Sequence, residues 1–123
     1  MLATLRKNGL PRVSPVEPLF LNSQLYLGMT WESRKALDLI RDPRCSIHKA
    51  VSDRHAGDGE FKIYGRAMDI TNPNEQQDYL RAMAKKINLE FDDQQFHCFV
   101  IDINSIAINP LVGEEFQHRV WKA

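Results

Sequence analysis

The first thirty residues alternate between apolar and polar positions, and turn-forming pairs interrupt the alternation. One predicted strand runs from Leu2 to Lys7 and ends at Asn8-Gly9, a pair typical of a type I′ hairpin turn, in which both central residues have positive φ. A second strand is predicted from about Arg12 to Phe20. After the turn at Asn22-Ser23, a third covers 24–29. The chain is therefore predicted to open with a three-stranded antiparallel meander.

Two later stretches have helical spacing instead. The first predicted helix begins near Thr30 and ends at Pro43, because the residue before a proline is displaced from the α region. Its apolar side consists of Ala36, Leu37 and Ile40, flanked by Leu39. The second helix begins at Thr71-Asn72-Pro73, a capping residue followed by proline. The apolar stripe predicted to pack into the core is Leu80, Met83, Ala84 and Ile87.

Four further strands and one polar loop account for the rest of the chain. The strands are Arg44 to Val51, Glu60 to Ile70, Phe96 to Asn109 and Phe116 to Trp121, and the loop is Ser52 to Gly59. Gly65 indicates a kink or a close backbone approach. The third of these strands changes its apolar parity between Ile103 and Ile106, which a period of two does not allow without an extra residue. We therefore predict a β-bulge near Asn104-Ser105.

These elements predict a mainly β protein, an antiparallel, closed or partly closed barrel of six to seven strands with two short helices. A length of 123 residues suits a single domain over 1–123. Sixteen basic and sixteen acidic residues give no net charge, which argues against nucleic acid as the main partner. No segment approaches the roughly 20 apolar residues that cross a bilayer. Because a signal-peptide pattern is also missing, we expect a cytoplasmic protein with no membrane partner.

Two features are candidates for binding. Pro15 and Pro18 cannot donate to a β-ladder, so they either leave backbone groups free for a ligand or protect an exposed strand edge. Arg34 and Lys35 lie in the first turn of a helix, where acids are normally favoured. Together with the Ser33 hydroxyl, they either hold a phosphate or are simply solvated.

No catalytic constellation is evident. The four histidines are scattered, and the cysteines Cys45 and Cys98 lack metal-ligand spacing, so we assign no metal site and no general acid or base. His48 and His97 lie in predicted strands, where hydrogen-bonded structural histidines are common. An anion site without acid–base groups is typical of a protein whose chemistry is carried by a cofactor.

Three segments in order, ATLRKNGLPRVSPV, LYLGMTWESRKALDLIRDPR and FKIYGRAMDIT, resemble the pyridoxamine 5′-phosphate oxidase-like family of FMN-binding split barrels. The resemblance implies a homodimer with FMN at its interface, the phosphate at the start of the first helix and the flavin ring along the second strand. The matching cofactor-binding residues are Arg12, Val13, Ser14, Met29, Thr30, Ser33, Arg34 and Lys35. Glu60 falls near a position where the family has a glutamine from the partner subunit, and the resemblance also implies that Trp121 would approach the flavin from the last strand.

The chain also departs from the family's pattern. Glu17 replaces a lysine of the true oxidases, and Trp121-Lys122-Ala123 replaces their C-terminal Arg-and-His signature. Met1 lies almost at the first strand, without the family's usual N-terminal helix. We therefore expect an FMN-dependent oxidoreductase that uses a small substrate or a nicotinamide donor, and not vitamin B6 oxidation. The alternatives are a deazaflavin-dependent reductase and a non-catalytic flavin or tetrapyrrole binder.

Overall fold

The computed structural model describes residues 1–49, 59–88 and 95–123, and these contain ten strands and two helices. The predicted loop over 52–59 lies outside the described residues except at Gly59. In chain order the elements are β1 (Leu2–Leu5), β2 (Pro11–Ser14), β3 (Pro18–Leu21), β4 (Gln24–Thr30), α1 (Arg34–Arg41), β5 (Arg44–His48), β6 (Glu60–Asp69), α2 (Pro73–Ile87), β7 (Phe96–Asn109), β8 (Leu111–Val112), β9 (Glu115–Phe116) and β10 (Arg119–Lys122).

One antiparallel sheet has the order β2-β1-β5-β6-β7-β4-β3, so β2 and β3 are its two ends. The same strands are neighbours along the chain, joined only by residues 15–17. The sheet must therefore curl until its ends meet at this bend, which makes a barrel. Along one edge of β7, residues 96–100 pair with β4 and residues 105–108 pair with β10. The predicted mainly β split barrel with two helices is confirmed.

The bend corrects the predicted second strand. Instead of one strand from Arg12 to Phe20, the chain forms β2 and β3, separated at Pro15 to Glu17. Proline at position 15 cannot donate to a ladder, so the chain leaves the β1 side of the sheet here and joins the β4 side. The predicted last strand is likewise divided into β9 and β10.

The two hairpin turns differ from the prediction. Gly9 has φ +84°, but Asn8 is not in the left-handed region, so the predicted type I′ turn at Asn8-Gly9 is wrong. Both central residues of the β3–β4 hairpin, Asn22 and Ser23, have positive φ, 52° and 62°. The type I′ requirement is met at this second hairpin.

The predicted bulge and close approach are confirmed, and they face each other. Tyr64 pairs with Ser105 while its neighbour Gly65 pairs with Ile103, so Asn104 is the extra residue of β7. A Cβ at Gly65 would collide with the carbonyl oxygen of Asp102. Glycine is therefore required where β6 crosses the bulged strand.

Helix α1 buries a different face from the predicted one. Ala36 and Leu39 are buried, but Leu37 and Ile40 are 45% and 52% exposed. Asp38, only 3% exposed, lies beside them on the inward face. The helix is rotated so that this carboxylate faces inward, because Thr4 and Arg12 donate hydrogen bonds to it there.

Two apolar clusters stabilise the barrel. The first fills its interior and includes Leu2, Leu27 and Phe99. The second lies between α2 and the outer side of β3, β4 and β7, where Tyr79 and Met83 are buried. Burial of each such side chain contributes about 1.5–3 kcal/mol. The predicted α2 start is confirmed, since the Asn72 side chain accepts hydrogen bonds from two backbone N–H groups of the first turn.

Candidate functional site

The turn between β4 and α1 is held by an aromatic stack and a histidine. The Ser33 N–H donates to the Thr30 carbonyl oxygen at 3.0 Å, and Glu32 adopts φ +55°. The Glu32 N–H donates to Nε2 of His97 at 3.0 Å. The Trp31 ring stacks on His97 with centroids 4.3 Å apart and planes 7° apart. His97 is thus a structural histidine, and it fixes the point at which the helix begins.

Ser33 occupies the N-cap of α1 but does not cap the helix. Its Oγ is buried and has no hydrogen-bond partner among the described residues. An N-cap serine normally accepts from a backbone N–H of the first turn, and an unpaired buried hydroxyl costs about 1–3 kcal/mol. The first turn contains no acid to offset the helix dipole. The start of α1 therefore offers an unsatisfied hydroxyl and N–H groups to an anion.

Arg34 and Lys35 are adjacent but have different surroundings. The exposed side chain of Arg34 makes no hydrogen bond or ion pair within the described part of the chain. Lys35, half-buried, donates from Nζ to the Pro15 carbonyl oxygen at 3.0 Å. One of the carbonyls that the β2–β3 bend frees from the ladder is thus bound by this lysine. Of these two cations, Arg34 is the one whose side chain has no partner among the described residues, and Lys35 keeps its remaining N–H groups.

Arg12 is positioned by the carboxylate of Asp38. The Arg12 Nε lies 2.7 Å from Oδ2, and the Thr4 hydroxyl donates to the same oxygen at 2.8 Å. Arg41 donates to Oδ1 at 3.0 Å. Burial alone would raise the pKa of Asp38, but these three hydrogen bonds, that of Arg12 foremost, outweigh it and lower the pKa. Asp38 therefore stays ionised and orients Arg12.

A cavity of about 420 Å³ adjoins this group between α1 and the β1–β2 turn. Its lining consists of Arg6, Lys7, Asn8, Arg12, Arg34, Leu37, Asp38 and Arg41. Five cations thus face one carboxylate in a protein with no net charge. Such a surface attracts phosphate and carboxylate groups.

The other predicted site residues are less closely grouped. Val13 is 61% exposed on β2, which pairs with β1 alone among the described strands. Ser14 is half-buried, and Thr30 is exposed at the end of β4. Met29 is buried in the barrel core, so its side chain can affect a surface ligand only through the residues packed against it.

The structure also locates Glu60 and Trp121. The Glu60 carboxylate lies 3.2 Å from both Lys62 Nζ and His48 Nε2. The hydrogen bond from Lys62, followed by that from His48, lowers the pKa of Glu60. Trp121 is exposed on β10, opposite Ile106 of β7.

The sequence interpretation missed several residues around α1: Thr4, Arg6, Lys7, Asp38 and Arg41. Asp38 carried a signal, because it is an acid inside the apolar stretch of a helix with Arg41 three residues later. Its contacts with residues of β1 and β2 lie 34 and 26 positions away and had no local signal.

Among the described residues, no three His, Cys, Asp or Glu side chains are grouped in a way that could hold a metal ion. None of the helices formed by these residues is long and apolar enough to cross a membrane.

The curled sheet, its bend at the sheet ends and the basic helix start define a split β-barrel. A family model described as pyridoxamine 5′-phosphate oxidase matches residues 1–109, and the chain belongs to this family. The resemblance inferred from the three sequence segments is therefore confirmed. A comparison with curated proteins finds no significant match.

Solved structures with the same fold have diverged far in sequence. A pyridoxamine 5′-phosphate oxidase-related, FMN-binding protein from Nostoc punctiforme is 18% identical with a TM-score of 0.72, over 98% of this chain and 78% of that one. A NimC/NimA family protein from Clostridium acetobutylicum is also 18% identical, with a TM-score of 0.75 over 98% and 81%. A haem-binding protein from Mycobacterium smegmatis is 23% identical with a TM-score of 0.71, and this chain spans 51% of its length.

Proposed function

We propose that this protein binds FMN at the start of α1 and acts as a flavin-dependent oxidoreductase on a small substrate. The observation that carries the proposal is the buried Ser33 hydroxyl beside the Arg34 side chain, neither of which has a partner among the described residues, in a first turn without acids. Membership of the pyridoxamine 5′-phosphate oxidase family and the FMN-binding relative from Nostoc support the choice of cofactor.

In this proposal each residue has a separate task. Ser33 and Arg34 hydrogen-bond the phosphate, and Lys35 adds charge while it holds the β2–β3 bend. Arg12, oriented by Asp38, supports the same anion from the side. The exposed Val13 and the open edge of β2 offer an apolar surface and free backbone groups to the flavin ring. When bound, the flavin supplies hydride and electron transfer, and the protein contributes binding and exclusion of water.

Vitamin B6 oxidation is not part of the proposal. Glu17, which replaces the lysine of the true oxidases, forms an ion pair with Lys86 of α2 at 2.9 Å. Lys86 also donates to the Pro18 carbonyl oxygen at 2.5 Å. Glu17 therefore connects the β2–β3 bend to α2 and supplies no positive charge to the site.

The proposal includes a homodimer. Every residue from Val112 to Ala123 is exposed in the single chain, including the large apolar side chains of Phe116, Val120 and Trp121. Tyr64 and Met68 are exposed on β6 as well. Apolar surface of this extent is typical of a protein interface, and a second copy of the chain would cover it.

The test is FMN binding by the flavin-free protein, measured by quenching of tryptophan fluorescence. Arg34→Gln combined with Ser33→Ala removes charge-assisted hydrogen bonds worth about 1.5–3 kcal/mol, so FMN affinity should fall about 10- to 100-fold. Lys35 is left unchanged because its replacement would also disturb the bend. Arg81→Gln, an exposed arginine of α2, is the matched control and should bind FMN normally.

Unchanged FMN affinity in the Ser33/Arg34 variant would refute the site. The absorbance spectrum of the purified protein separates the alternative functions. Flavin bands that a nicotinamide reductant bleaches, with turnover of an acceptor, support the oxidoreductase. Activity only with added deazaflavin would instead support the deazaflavin-dependent reductase. A tetrapyrrole spectrum, or bound flavin without turnover, would support the non-catalytic binder.

A further inference from the structure

The cavity beside α1 holds more positive charge than one flavin phosphate requires. A phosphate monoester carries about 1.5 to 2 negative charges at neutral pH. Five cationic side chains and a single carboxylate line the cavity. A bound FMN phosphate would therefore leave about two positive charges unmatched. This excess equals in magnitude the charge of a second phosphate monoester.

Two lining cations without an ion pair among the described residues, Arg6 and Lys7, follow Leu5, whose carbonyl oxygen accepts from Arg41 at the C-terminal end of α1. Asp38 engages Arg12 and Arg41 together, so its charge is shared between them. The side chains of Arg6 and Lys7 have no ion pair within the described ranges. After an anion binds Arg34, the β1–β2 turn remains the uncompensated part of the lining.

The turn that carries Arg6 and Lys7 is rigid. The Gly9 N–H donates to the Arg6 carbonyl oxygen, and the Arg6 N–H donates to that of Leu10, both at 2.8 Å. The Asn8 side chain accepts from the Leu10 N–H at 3.1 Å. A fixed backbone reduces the entropy lost when the two side chains bind a ligand.

The cavity is also too long for one anion. Its helical wall is formed by Arg34, Leu37, Asp38 and Arg41, which lie on one face of α1. Arg34 and Arg41 are seven positions apart, which is about 10 Å along the helix axis. Arg34 is at the end where Ser33 would hold the first phosphate, and Arg41 is at the other. Arg41 is anchored there by its hydrogen bond to the Leu5 carbonyl oxygen at 2.6 Å.

We propose that Arg6, Lys7 and Arg41 form a second anion site, which binds a phosphate monoester of the molecule that reacts with the flavin. This inference rests on the proposed function. The phosphate has two possible sources: the 2′-phosphate of a nicotinamide dinucleotide donor, or a phosphorylated small substrate. In either case Arg6 and Lys7 select a phosphorylated ligand over its unphosphorylated counterpart.

The test compares matched ligands that differ by one phosphate. NADP⁺ and NAD⁺ are titrated into the flavin-loaded protein, so that no turnover occurs, and 2′-AMP and inorganic phosphate probe the phosphate alone. The variant is Arg6→Gln with Lys7→Gln, and the control is Arg81→Gln with Lys85→Gln on α2. We expect at least about tenfold tighter binding of NADP⁺ than of NAD⁺, the effect of one charge-assisted hydrogen bond, and loss of this preference only in the Arg6/Lys7 variant.

If NADP⁺ and NAD⁺ bind alike while inorganic phosphate depends on Arg6 and Lys7, the second site is supported and its source is a phosphorylated substrate. If no probe depends on these two residues, the second site is refuted. FMN content is measured in parallel. A protein that takes up no flavin but binds 2′-AMP through Arg6 and Lys7 would refute the proposed function and retain the anion site.

Discussion

Replacement of Asp38 by asparagine tests whether the buried carboxylate stabilises the junction of α1 with β1 and β2. Asparagine has nearly the same shape but no charge and one acceptor oxygen fewer. The carboxylate accepts from Arg12 at 2.7 Å, from Thr4 at 2.8 Å and from Arg41 at 3.0 Å. If the amide oxygen takes the place of Oδ2, asparagine keeps the bonds from Arg12 and Thr4 without the help of a negative charge, and its NH₂ group then faces the Arg41 guanidinium.

The expected loss follows from the exposure of the partners. The charge-assisted bond to Arg12, whose side chain is 24% exposed, is worth about 1.5–3 kcal/mol. The Arg41 side chain is 38% exposed, so solvent screening limits its contribution to about 0–1 kcal/mol. Asp38→Asn should therefore reduce the free energy of unfolding by about 1.5–4 kcal/mol, a large part of the about 5–15 kcal/mol typical of a domain.

The assay is urea unfolding of the flavin-free protein near neutral pH and again under acid conditions. Because the folded-state pKa of Asp38 lies below its ordinary value, its contribution is present above about pH 4 and is lost as the pH falls through the folded-state pKa. The difference between the wild type and the variant should shrink in acid. Asp78→Asn is the control, since Asp78 also pairs with an arginine three residues later but both are exposed. A loss at Asp38 no larger than in this control, or one that persists in acid, would refute the reasoning.

Three further predictions concern the core and the surface. Gly65→Ala places a Cβ against the Asp102 carbonyl and should cost about 1–3 kcal/mol in urea unfolding; unchanged stability would contradict the close approach. Burial raises the pKa of the Cys98 thiol to about 12, so about one molecule in ten thousand is thiolate at pH 8 and iodoacetamide should label Cys98 only after unfolding. Val120→Asp adds a charge to the proposed dimer surface and should yield a monomer by light scattering, whereas an undisturbed dimer would exclude β10 from the interface.

Sequence patterns predicted the parts of this fold that depend on neighbours along the chain. The β7 bulge was found because the apolar parity of one strand changes, and the β6 glycine because it interrupts a strand pattern. The α1 face was predicted incorrectly because Asp38 lies inward, and its partners Thr4 and Arg12 are distant in sequence. A burial rule based on hydrophobicity cannot anticipate a carboxylate that is satisfied by remote donors.

The same distinction applies to the candidate site. Spacing and resemblance found Ser33, Arg34 and Lys35, because all three lie in one turn. They could not find His97, whose ring accepts from the Glu32 N–H across 65 residues and orients that turn. Nor could they indicate that the β1–β2 turn faces α1, since this depends on how the sheet curls.

The adjacent cations of α1 show how closure of the barrel and anion binding depend on each other. Lys35 binds the Pro15 carbonyl at the bend where the two ends of the sheet meet. Within the described residues, the Arg34 side chain, one position earlier, has no partner, and the Ser33 hydroxyl before it has no hydrogen bond. An anion at Ser33 and Arg34 would order the first turn of α1, and the same turn carries the lysine that holds the bend. Ligand binding should therefore stabilise the closed barrel as well as fill the site, because both rest on one turn of helix.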